Sequence, residues 1–241
     1  IRIIYINVAY GDEYSIAVLK QQSFTNNIVP YKRGDIKDRN GNILATSTVV
    51  YNMVVDAKML SKEENQEYLQ PTIDAVVKYF GLNTDDLKTS IKEHGTTSYW
   101  IAQKDISYDK VKEFKSYCNG DYAKTDLEKE QAAAVKFIYF EKEYKRVYPY
   151  DTLACSVLGF ANKNNEANIG IESSYNSYLK GTEGREYGYM DADNNIETVI
   201  KEAKNGDNVV SSIDMNIQRI VQKSIKKYMN KYNPQRIAVV I

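Results

Sequence analysis

The chain has 241 residues, of which 43% are hydrophobic and 27% charged, a composition typical of a folded protein with one large domain or two small ones. Its 32 basic and 32 acidic residues give a formal net charge of zero, so it lacks the positive charge expected of a nucleic-acid-binding domain. One His and two Cys are too few for a His/Cys zinc site. These totals exclude wholesale disorder, dedicated nucleic-acid binding and such a zinc site.

Both ends of the sequence are expected to be cut from a longer protein. The chain begins at Ile1 without Met and ends in the apolar run 237–241 with no closing turn. No stretch reaches the ~18 apolar residues of a membrane-spanning helix, and no signal peptide is visible. Cys118 and Cys155 lack metal-ligand spacing, and a disulfide between them is left open.

The first third of the chain predicts a helix followed by a hairpin. Residues 1–24 carry an amphipathic helical pattern, and residues 29–58 predict a β-hairpin. Asn40-Gly41 favours a type I′ turn, because both central positions of that turn need φ > 0. The β-rich run 48–55 predicts a long second strand. Charged residues crowd the turn, namely Arg33, Asp35, Lys37, Asp38 and Arg39.

Helices dominate the prediction that follows. Ser61 with Glu64 matches a capping box, and Pro71 is expected to end that first short helix. Further helices are predicted over 72–80, which Gly81 would terminate, and over 84–93.

The middle of the chain predicts a strand at 99–102, a helix at 107–118 and a strand at 135–147. His94 has no Ser or Cys partner in a catalytic pattern, so we interpret it as structural.

The second half of the chain again mixes helices and strands. In order, it predicts a helix over 151–158 with Asp151 as N-cap, a helix over 170–179, a hairpin of 185–190 with 196–200, a strand at 209–213, a helix from Asp214 to Tyr232 and a strand at 236–241. The last strand is almost entirely apolar and is therefore expected to be buried on both faces. Blocks of helices and strands predict an α+β fold.

Four motifs, in order and in register, resemble the N-terminal, non-catalytic region of class B penicillin-binding proteins. They are Arg33-Gly-Asp-Ile-Lys-Asp-Arg-Asn-Gly-Asn-Ile-Leu-Ala45; Arg146-Val-Tyr-Pro149 with Leu158-Gly-Phe160; Gly170-Ile-Glu172 with Tyr175, Leu179-Lys-Gly181 and Gly184; and Asn205-Gly-Asp-Asn-Val-Val210 with Ile213-Asp214 and Ile217-Gln218. Each motif alone is weak, but four in register over the whole chain are specific. The nearest likeness is to Gram-positive members that act in elongation, division or sporulation.

The resemblance implies an elongated pedestal, often called the dimerisation domain, with long β-hairpins and a helical insert. It implies a membrane-proximal stalk helix over 1–28, the pedestal over 29–205 with its insert at about 59–118, and the truncated start of a transpeptidase domain over 206–241. The intact protein would be anchored by one transmembrane helix on the outer face of the cell membrane, whereas this fragment would be soluble.

The resemblance also implies partners. They would be a membrane glycosyltransferase or other cell-wall synthesis proteins, and a second copy in a homodimer; no nucleic acid and no cofactor are implied. The insert at about 59–118 is the natural partner surface, because it lies furthest from the shared motifs.

The signature residues are expected to be structural. They are Arg33, Gly34, Asp38, Arg39, Asn40, Gly41, Arg146, Pro149, Gly170, Glu172 and Gly181. Among them, Arg33, Arg39 and Glu172 predict a buried ion network between the hairpin and the third motif, since the planar guanidinium binds a carboxylate with two parallel hydrogen bonds. The alternative is a set of solvated charges.

The acylation chemistry of penicillin-binding transpeptidases needs Ser-x-x-Lys, Ser-x-Asn and Lys-Thr/Ser-Gly. Ser-x-x-Lys occurs at Ser107, Ser177 and Ser224, which is close to chance frequency, and Ser174-Tyr-Asn176 overlaps the second of these. Lys88-Thr-Ser90 lacks the glycine that lets substrate approach a strand. The family's catalytic serine would lie beyond the last residue, so we expect no acyl transfer by this chain. The alternatives are an enzyme that uses one of these serines and a stand-alone extracellular binding or adhesion module.

Overall fold

The computed structural model describes residues 23–162, 165–190 and 196–240. The chain divides into two compact units. The discontinuous unit comprises 1–48 and 146–241, and the central unit comprises 49–145. Both units mix helices and strands, which confirms the α+β prediction.

The elements follow one another in chain order. The strands are β1 (Ser23–Val29), β2 (Ile36–Lys37), β3 (Ile43–Val55), β4 (Trp100–Ser107), β5 (Ile138–Val147), β6 (Gly184–Met190), β7 (Ile196–Lys201) and β8 (Val209–Val210). The helices are α1 (Ala57–Leu60), α2 (Gln66–Phe80), α3 (Thr84–Glu93), α4 (Tyr108–Cys118), α5 (Asp126–Ala133), α6 (Cys155–Leu158), α7 (Gly170–Ser174), α8 (Asn176–Leu179) and α9 (Met215–Tyr232), with a 3₁₀ turn at Glu63–Asn65.

The discontinuous unit contains two groups of paired strands. β1, β6 and β7 form an antiparallel sheet in that order. β2 pairs with the start of β3 in an antiparallel hairpin and with β8 in parallel, so a late segment of the chain lies beside an early one. Side chains from the hairpin, α6, α8 and α9 share one core, made of Ile36, Leu44, Ala45, Leu153, Leu158, Leu179 and Met215.

The central unit packs its helices around a second core. β4 and β5 both pair with β3. Its buried side chains include Met53, Leu60, Ile73, Phe80 and Phe114, and the rings of Phe80 and Phe114 lie 5.1 Å apart. His94 stacks on Trp100 at 4.9 Å and its Nδ1 lies 2.8 Å from the Ser90 carbonyl, which fits a structural role.

The predicted break at Pro71 is wrong. α2 runs from Gln66 to Phe80 with Pro71 inside it, and Ser61 follows the short helix α1 instead of capping one. Pro71 sits early in α2 and sacrifices one backbone hydrogen bond there. Burial of the apolar face of α2, with Ile73 fully buried, outweighs that loss. The predicted C-terminal ends of α2 at Phe80 and of α3 at Glu93 are confirmed, and Gly81 terminates α2 with φ 72°.

Two helical predictions in the discontinuous unit need correction. Asp151 is not an N-cap: it lies in a turn with φ 46°, and α6 begins only at Cys155. The predicted helix over 170–179 is two short helices, because Tyr175 leaves the helical region at φ −109°, ψ 21°.

The predicted buried terminal strand is also wrong for the residues described. Residues 236–240 form no strand, and Val240 is 96% exposed. An apolar strand is buried only where neighbouring strands pair with it. α9 is present as predicted, with Asp214 as its N-cap and Asn233 at its end, but Ile220 in its apolar stripe is 67% exposed.

The predicted stalk helix falls mostly on residues 1–22, outside the described part of the chain. Its last residues belong to β1, so the helix prediction is wrong there. Helix α5 was not predicted, although Thr125 and Glu128 form a complete capping box that the sequence signals. Both cysteines are free thiols, so no disulfide joins them. Within the described residues, no helix is long and apolar enough to cross a membrane.

Candidate functional site

A buried ion cluster joins the hairpin to α7. The Arg33 Nε donates to Glu172 Oε2 at 2.8 Å, and its Nη2 donates to the Glu172 carbonyl at 2.9 Å. Neither side chain is exposed to solvent. The Arg33 Nη1 donates to Asn176 Oδ1 on α8 at 2.7 Å. The predicted pairing of Arg33 with Glu172 is therefore confirmed.

The second cation of the cluster is Arg146, at the end of β5. Its Nε donates to Glu172 Oε1 at 2.8 Å, with a side chain only 3% exposed. Its Nη1 donates to the Gly34 carbonyl at 2.7 Å and lies 3.3 Å from Ser47 Oγ. One carboxylate thus faces two guanidiniums. Their other donors reach carbonyl, amide and hydroxyl oxygens, except for the buried Arg146 Nη2, which has no hydrogen-bond partner among the described residues.

Tyr148 extends the cluster. Its hydroxyl donates to Glu172 Oε1 at 3.1 Å and accepts the Ala161 N–H at 2.8 Å. Burial raises the pKa of Tyr148, which keeps the phenol protonated as a donor. Every oxygen of the Glu172 carboxylate therefore has a donor, as a buried charge requires.

The prediction that Arg39 belongs to this network is wrong. Arg39 is exposed, and its Nε donates to the Ser212 carbonyl at 3.2 Å. It lies beyond the end of the short strand β2, in the hairpin turn, so it belongs to a different set of contacts. Arg146 takes the place that the sequence assigned to Arg39.

The hairpin turn differs from the predicted type I′ turn. The Gly41 N–H donates to the Asp38 carbonyl at 3.1 Å, and Gly41 has φ 86° whereas Asn40 is not among the residues with positive φ. This is a three-residue loop, a type I turn followed by a left-handed glycine. Asn42 supplies the closing carbonyl to the Asp38 N–H at 2.9 Å.

Asp38 is the buried centre of that turn. Its carboxylate accepts the Asn40 and Asn42 N–H groups at 2.8 Å each and the Asn42 side-chain amide at 2.9 Å. It also accepts the N–H of Met215, the first residue of α9, at 3.2 Å. Burial alone would raise the pKa of Asp38, but these hydrogen bonds lower it to about 2.

The remaining signature residues fix the path of the backbone. A Cβ on Gly34 would lie 1.9 Å from the Asp207 carbonyl oxygen, and one on Gly181 would lie 2.2 Å from the Lys204 carbonyl oxygen. Gly170, at φ 68°, lies against the backbone of 157–159. Pro149 occupies the second position of the turn closed by the Asp151 N–H to the Tyr148 carbonyl at 3.1 Å, where its fixed φ fits.

Among the residues that the structure describes, no catalytic constellation accompanies the cluster. The three Ser-x-x-Lys serines, Ser107, Ser177 and Ser224, are all exposed, and so are their lysines. In the part of the chain that the structure describes, no group of three or more His, Cys, Asp or Glu side chains could hold a metal ion. What the cluster can do chemically is hold distant segments of the chain in one arrangement.

Three members of the cluster are absent from the network that the sequence predicts. Arg146 is predicted only as a signature residue, and neither Tyr148 nor Asn176 is predicted to bond to the cluster. The available signal was the motif Arg146-Val-Tyr148, since alternate residues of a strand face the same side. That alternation places Arg146 and Tyr148 on the same side, but it does not identify the carboxylate that they face.

The family model described as the penicillin-binding protein dimerisation domain matches residues 28–211. The chain belongs to this family, which confirms the resemblance seen in its four motifs. Its Gram-positive type stays a prediction.

Individual relatives agree with the family. "Probable peptidoglycan D,D-transpeptidase PenA" of Neisseria meningitidis is 26% identical over 218 residues, which cover 88% of this chain and 34% of that protein. Penicillin-binding protein 2X of Streptococcus thermophilus has a similar fold, with a TM-score of 0.62 and 24% identity over 86% of this chain and 32% of that one. Penicillin-binding protein PBP2 of Helicobacter pylori, solved in a complex with MreC, gives a TM-score of 0.54 and 20% identity over 84% of this chain and 38% of that one. The chain spans about a third of the length of the curated relative.

Proposed function

We propose that this chain is the non-catalytic pedestal of a membrane-anchored peptidoglycan D,D-transpeptidase. It holds the transpeptidase domain at a fixed position outside the cell and offers a surface to other cell-wall synthesis proteins. The domain organisation proposed is a stalk over 1–28, the pedestal over 29–205 and the first elements of the transpeptidase domain over 206–241. The intact protein would cross-link peptidoglycan peptides and bind penicillin.

The observation that carries this proposal is the buried cluster of Arg33, Arg146 and Glu172 in a chain of this family. The cluster joins positions 139 residues apart in sequence and contains no group placed to attack a substrate. Ion clusters of this kind define one arrangement of a backbone, in the way that buried polar residues specify register elsewhere. A rigid support needs that property, whereas acyl transfer through a covalent intermediate needs an accessible nucleophile.

The exposed stripe of α9 supports the last part of the proposed organisation. Ile217, Ile220 and Met229 lie on the stripe and are 42%, 67% and 40% exposed. An amphipathic helix normally covers such a stripe with a neighbouring element. A following domain of the same polypeptide, of which α9 and 236–241 would be the first elements, would provide that cover.

The partners proposed are a membrane glycosyltransferase, other cell-wall synthesis proteins and, in a homodimer, a second copy. The family name and the complex of the Helicobacter pylori relative with MreC support partners of this class. The helical insert at about 59–118 is the proposed contact surface. Sedimentation of the purified chain over a concentration series tests the homodimer, and a single monomeric species at all concentrations would contradict it.

The gene beyond both ends of the chain provides the first test. A hydrophobic segment of about 20 residues upstream, and Ser-x-x-Lys, Ser-x-Asn and Lys-Thr-Gly in order downstream, are expected. A stop codon soon after Ile241 would contradict the proposal and favour a stand-alone binding or adhesion module.

Labelling with a fluorescent penicillin tests the absence of catalysis in this chain. The 241-residue chain is expected to take no label, whereas the intact protein is expected to be labelled on its downstream serine. Label on the chain that is lost in Ser177→Ala, Ser107→Ala or Ser224→Ala would show that one of these serines is acylated, and would overturn the proposal.

A further inference from the structure

The segment that leaves the pedestal is bonded to the signature hairpin along its length. The Gly206 N–H donates to the Lys32 carbonyl at 2.9 Å, and the Val209 N–H donates to the Asp35 carbonyl at 2.9 Å. Further on, the Ser211 N–H donates to the Lys37 carbonyl at 2.8 Å. These bonds extend the parallel pairing of β2 with β8 well beyond its two residues. Residues 205–213 are therefore part of the packed structure and not a flexible linker.

Side chains add to this ladder. The Asn205 Oδ1 accepts the Lys32 N–H at 2.8 Å, and the Asn208 Oδ1 accepts the Asp35 N–H at 2.7 Å. Gly206 is packed so tightly that an added Cβ would lie 1.8 Å from the Leu179 carbonyl oxygen. The exit segment is thus fixed both by hydrogen bonds and by contact with α8.

The hairpin turn is hydrogen-bonded to the start of α9. The Arg39 N–H donates to the Ile213 carbonyl at 2.9 Å, and the Asn40 side-chain amide donates to Asp214 Oδ2 at 3.2 Å. The buried Asp38 carboxylate accepts the Met215 N–H. We call these contacts of 38–40 with 212–215 the clamp.

Two carboxylates share the unpaired amides of the first turn of α9. Asp214 caps the Asn216 and Ile217 N–H groups at 2.9 and 3.3 Å, as a normal N-cap does. The Met215 N–H is taken by Asp38, a residue 177 positions earlier in the chain. The helix therefore begins at a point set by the hairpin as well as by its own cap.

We propose that Asp38 is a positioning residue, whose buried carboxylate ties the first amide of α9 to the hairpin turn and so sets the direction in which the chain leaves the pedestal. Asp38 is suited to this because the same carboxylate also holds the turn, through the Asn40 and Asn42 N–H groups. The turn cannot change its shape without releasing α9. On the proposed function, that direction would be the orientation of the transpeptidase domain.

Amide hydrogen exchange of the 241-residue chain, resolved at Met215, tests the clamp. In Asp38→Asn, the one remaining carbonyl oxygen can stay on the Asn40 and Asn42 N–H groups, and the NH2 that then replaces Oδ2 cannot accept the Met215 N–H. Loss of a hydrogen bond to a charged acceptor predicts Met215 exchange faster by about tenfold or more. The matched control is Asp35→Asn, a buried aspartate of the same hairpin whose carboxylate accepts from Thr46 and Lys32, and in which Met215 exchange should stay as in the wild type. Unchanged Met215 exchange in folded Asp38→Asn would overturn the proposal.

Met215→Pro provides a second variant should Asp38→Asn not fold. Proline removes the N–H that Asp38 accepts, and it is well tolerated at the first position of a helix. It also removes the buried Met215 side chain from the core, so Met215→Ala, which loses the same side chain but keeps the N–H, is its matched control. The preceding Asp214, at φ −109°, ψ 113°, already has the extended backbone that proline requires. Near-UV circular dichroism verifies that the variant retains its packed core.

The orientation of α9 is measured as the distance between two spin labels, one at exposed Glu202 and one at exposed Lys227 of α9. Both native cysteines are first replaced by serine. The wild type is expected to give one narrow distance distribution, and Met215→Pro or Asp38→Asn a broad one. A distribution that stays narrow at the same distance in both variants would overturn the proposal. Because these readouts use the chain alone, a failed clamp is distinguishable from a failed assignment as a transpeptidase pedestal, which the gene sequence decides.

Discussion

Replacing Glu172 with alanine removes the only anion that the structure places between Arg33 and Arg146 within the residues it describes. Three side-chain donors lose their acceptor: the two Nε groups at 2.8 Å each and the Tyr148 hydroxyl at 3.1 Å. The guanidinium side chains are 0% and 3% exposed, so water cannot replace the lost charge without opening the core.

Breaking a buried ion pair by removing one partner costs about 3–5 kcal/mol. Here one deletion leaves two like charges uncompensated, so we expect Glu172→Ala to cost about 4–5 kcal/mol, a large part of a total stability of about 5–15 kcal/mol. At about 2–4 °C per kcal/mol for a protein of this size, Tm should fall by about 8–20 °C.

Scanning calorimetry with urea titration provides the measurement, and Glu202→Ala provides the control. Glu202 is an exposed glutamate of the same unit, and its loss should change the free energy of unfolding by less than about 0.5 kcal/mol. Equal Tm values for the two variants would refute the reasoning. A triple replacement of Arg33, Arg146 and Glu172 by methionine should recover most of the lost stability, because it removes all three charges together.

Three further predictions concern the hairpin. Gly34→Ala should unfold the unit or cost about 3 kcal/mol or more in a thermal scan, at or above the upper end for core overpacking, since its Cβ would lie 1.9 Å from the Asp207 carbonyl oxygen. Gly41→Ala, whose Cβ meets nothing within 4 Å, should cost only the ~1–2 kcal/mol of a left-handed alanine in the same scan. Arg39→Ala removes an exposed hydrogen bond and should cost less than about 1.5 kcal/mol in urea titration; a loss as large as that of Glu172→Ala would show that Arg39 does belong to the buried cluster. The folded pKa of Asp38, about 2, lies below its usual value of 3.8, so its contribution to stability is complete above about pH 5 and is lost as the pH falls toward 2. Urea titrations over this range should show a smaller loss of unfolding free energy in Asp38→Asn than in the wild type, and equal losses would contradict the prediction.

The fold class and part of the ion cluster can be predicted from the sequence, because both depend on residue types at fixed positions. The pair of Arg33 with Glu172 followed from complementary charges in two motifs of one family. Arg146 could not be separated from Arg39 in the same way, since both are arginines in signature motifs. Which one is buried depends on a strand and a turn whose relative placement only the folded chain defines.

Local signals failed where tertiary contacts outweighed them. A proline normally ends a helix, yet α2 continues past Pro71 because its apolar face is buried. Asp151 is a good N-cap by residue type, but the turn that follows Pro149 places it at φ 46°, outside the cap conformation. The apolar run 236–240 has the pattern of a buried strand, but pattern alone does not provide the neighbours that would bury it.

The discontinuous unit has a consequence for the order in which the chain folds. Its hydrogen bonds join residues 139 and 177 positions apart, as between Arg33 and Glu172 and between Asp38 and Met215. Such non-local contacts form slowly, because loop closure must precede them. The central unit, which is one continuous stretch over 49–145, needs no residue made later than its own last strand. During synthesis from the N-terminus it can therefore acquire its core first, while the charges of the early hairpin stay in water until its partners, from Glu172 to Met215, emerge.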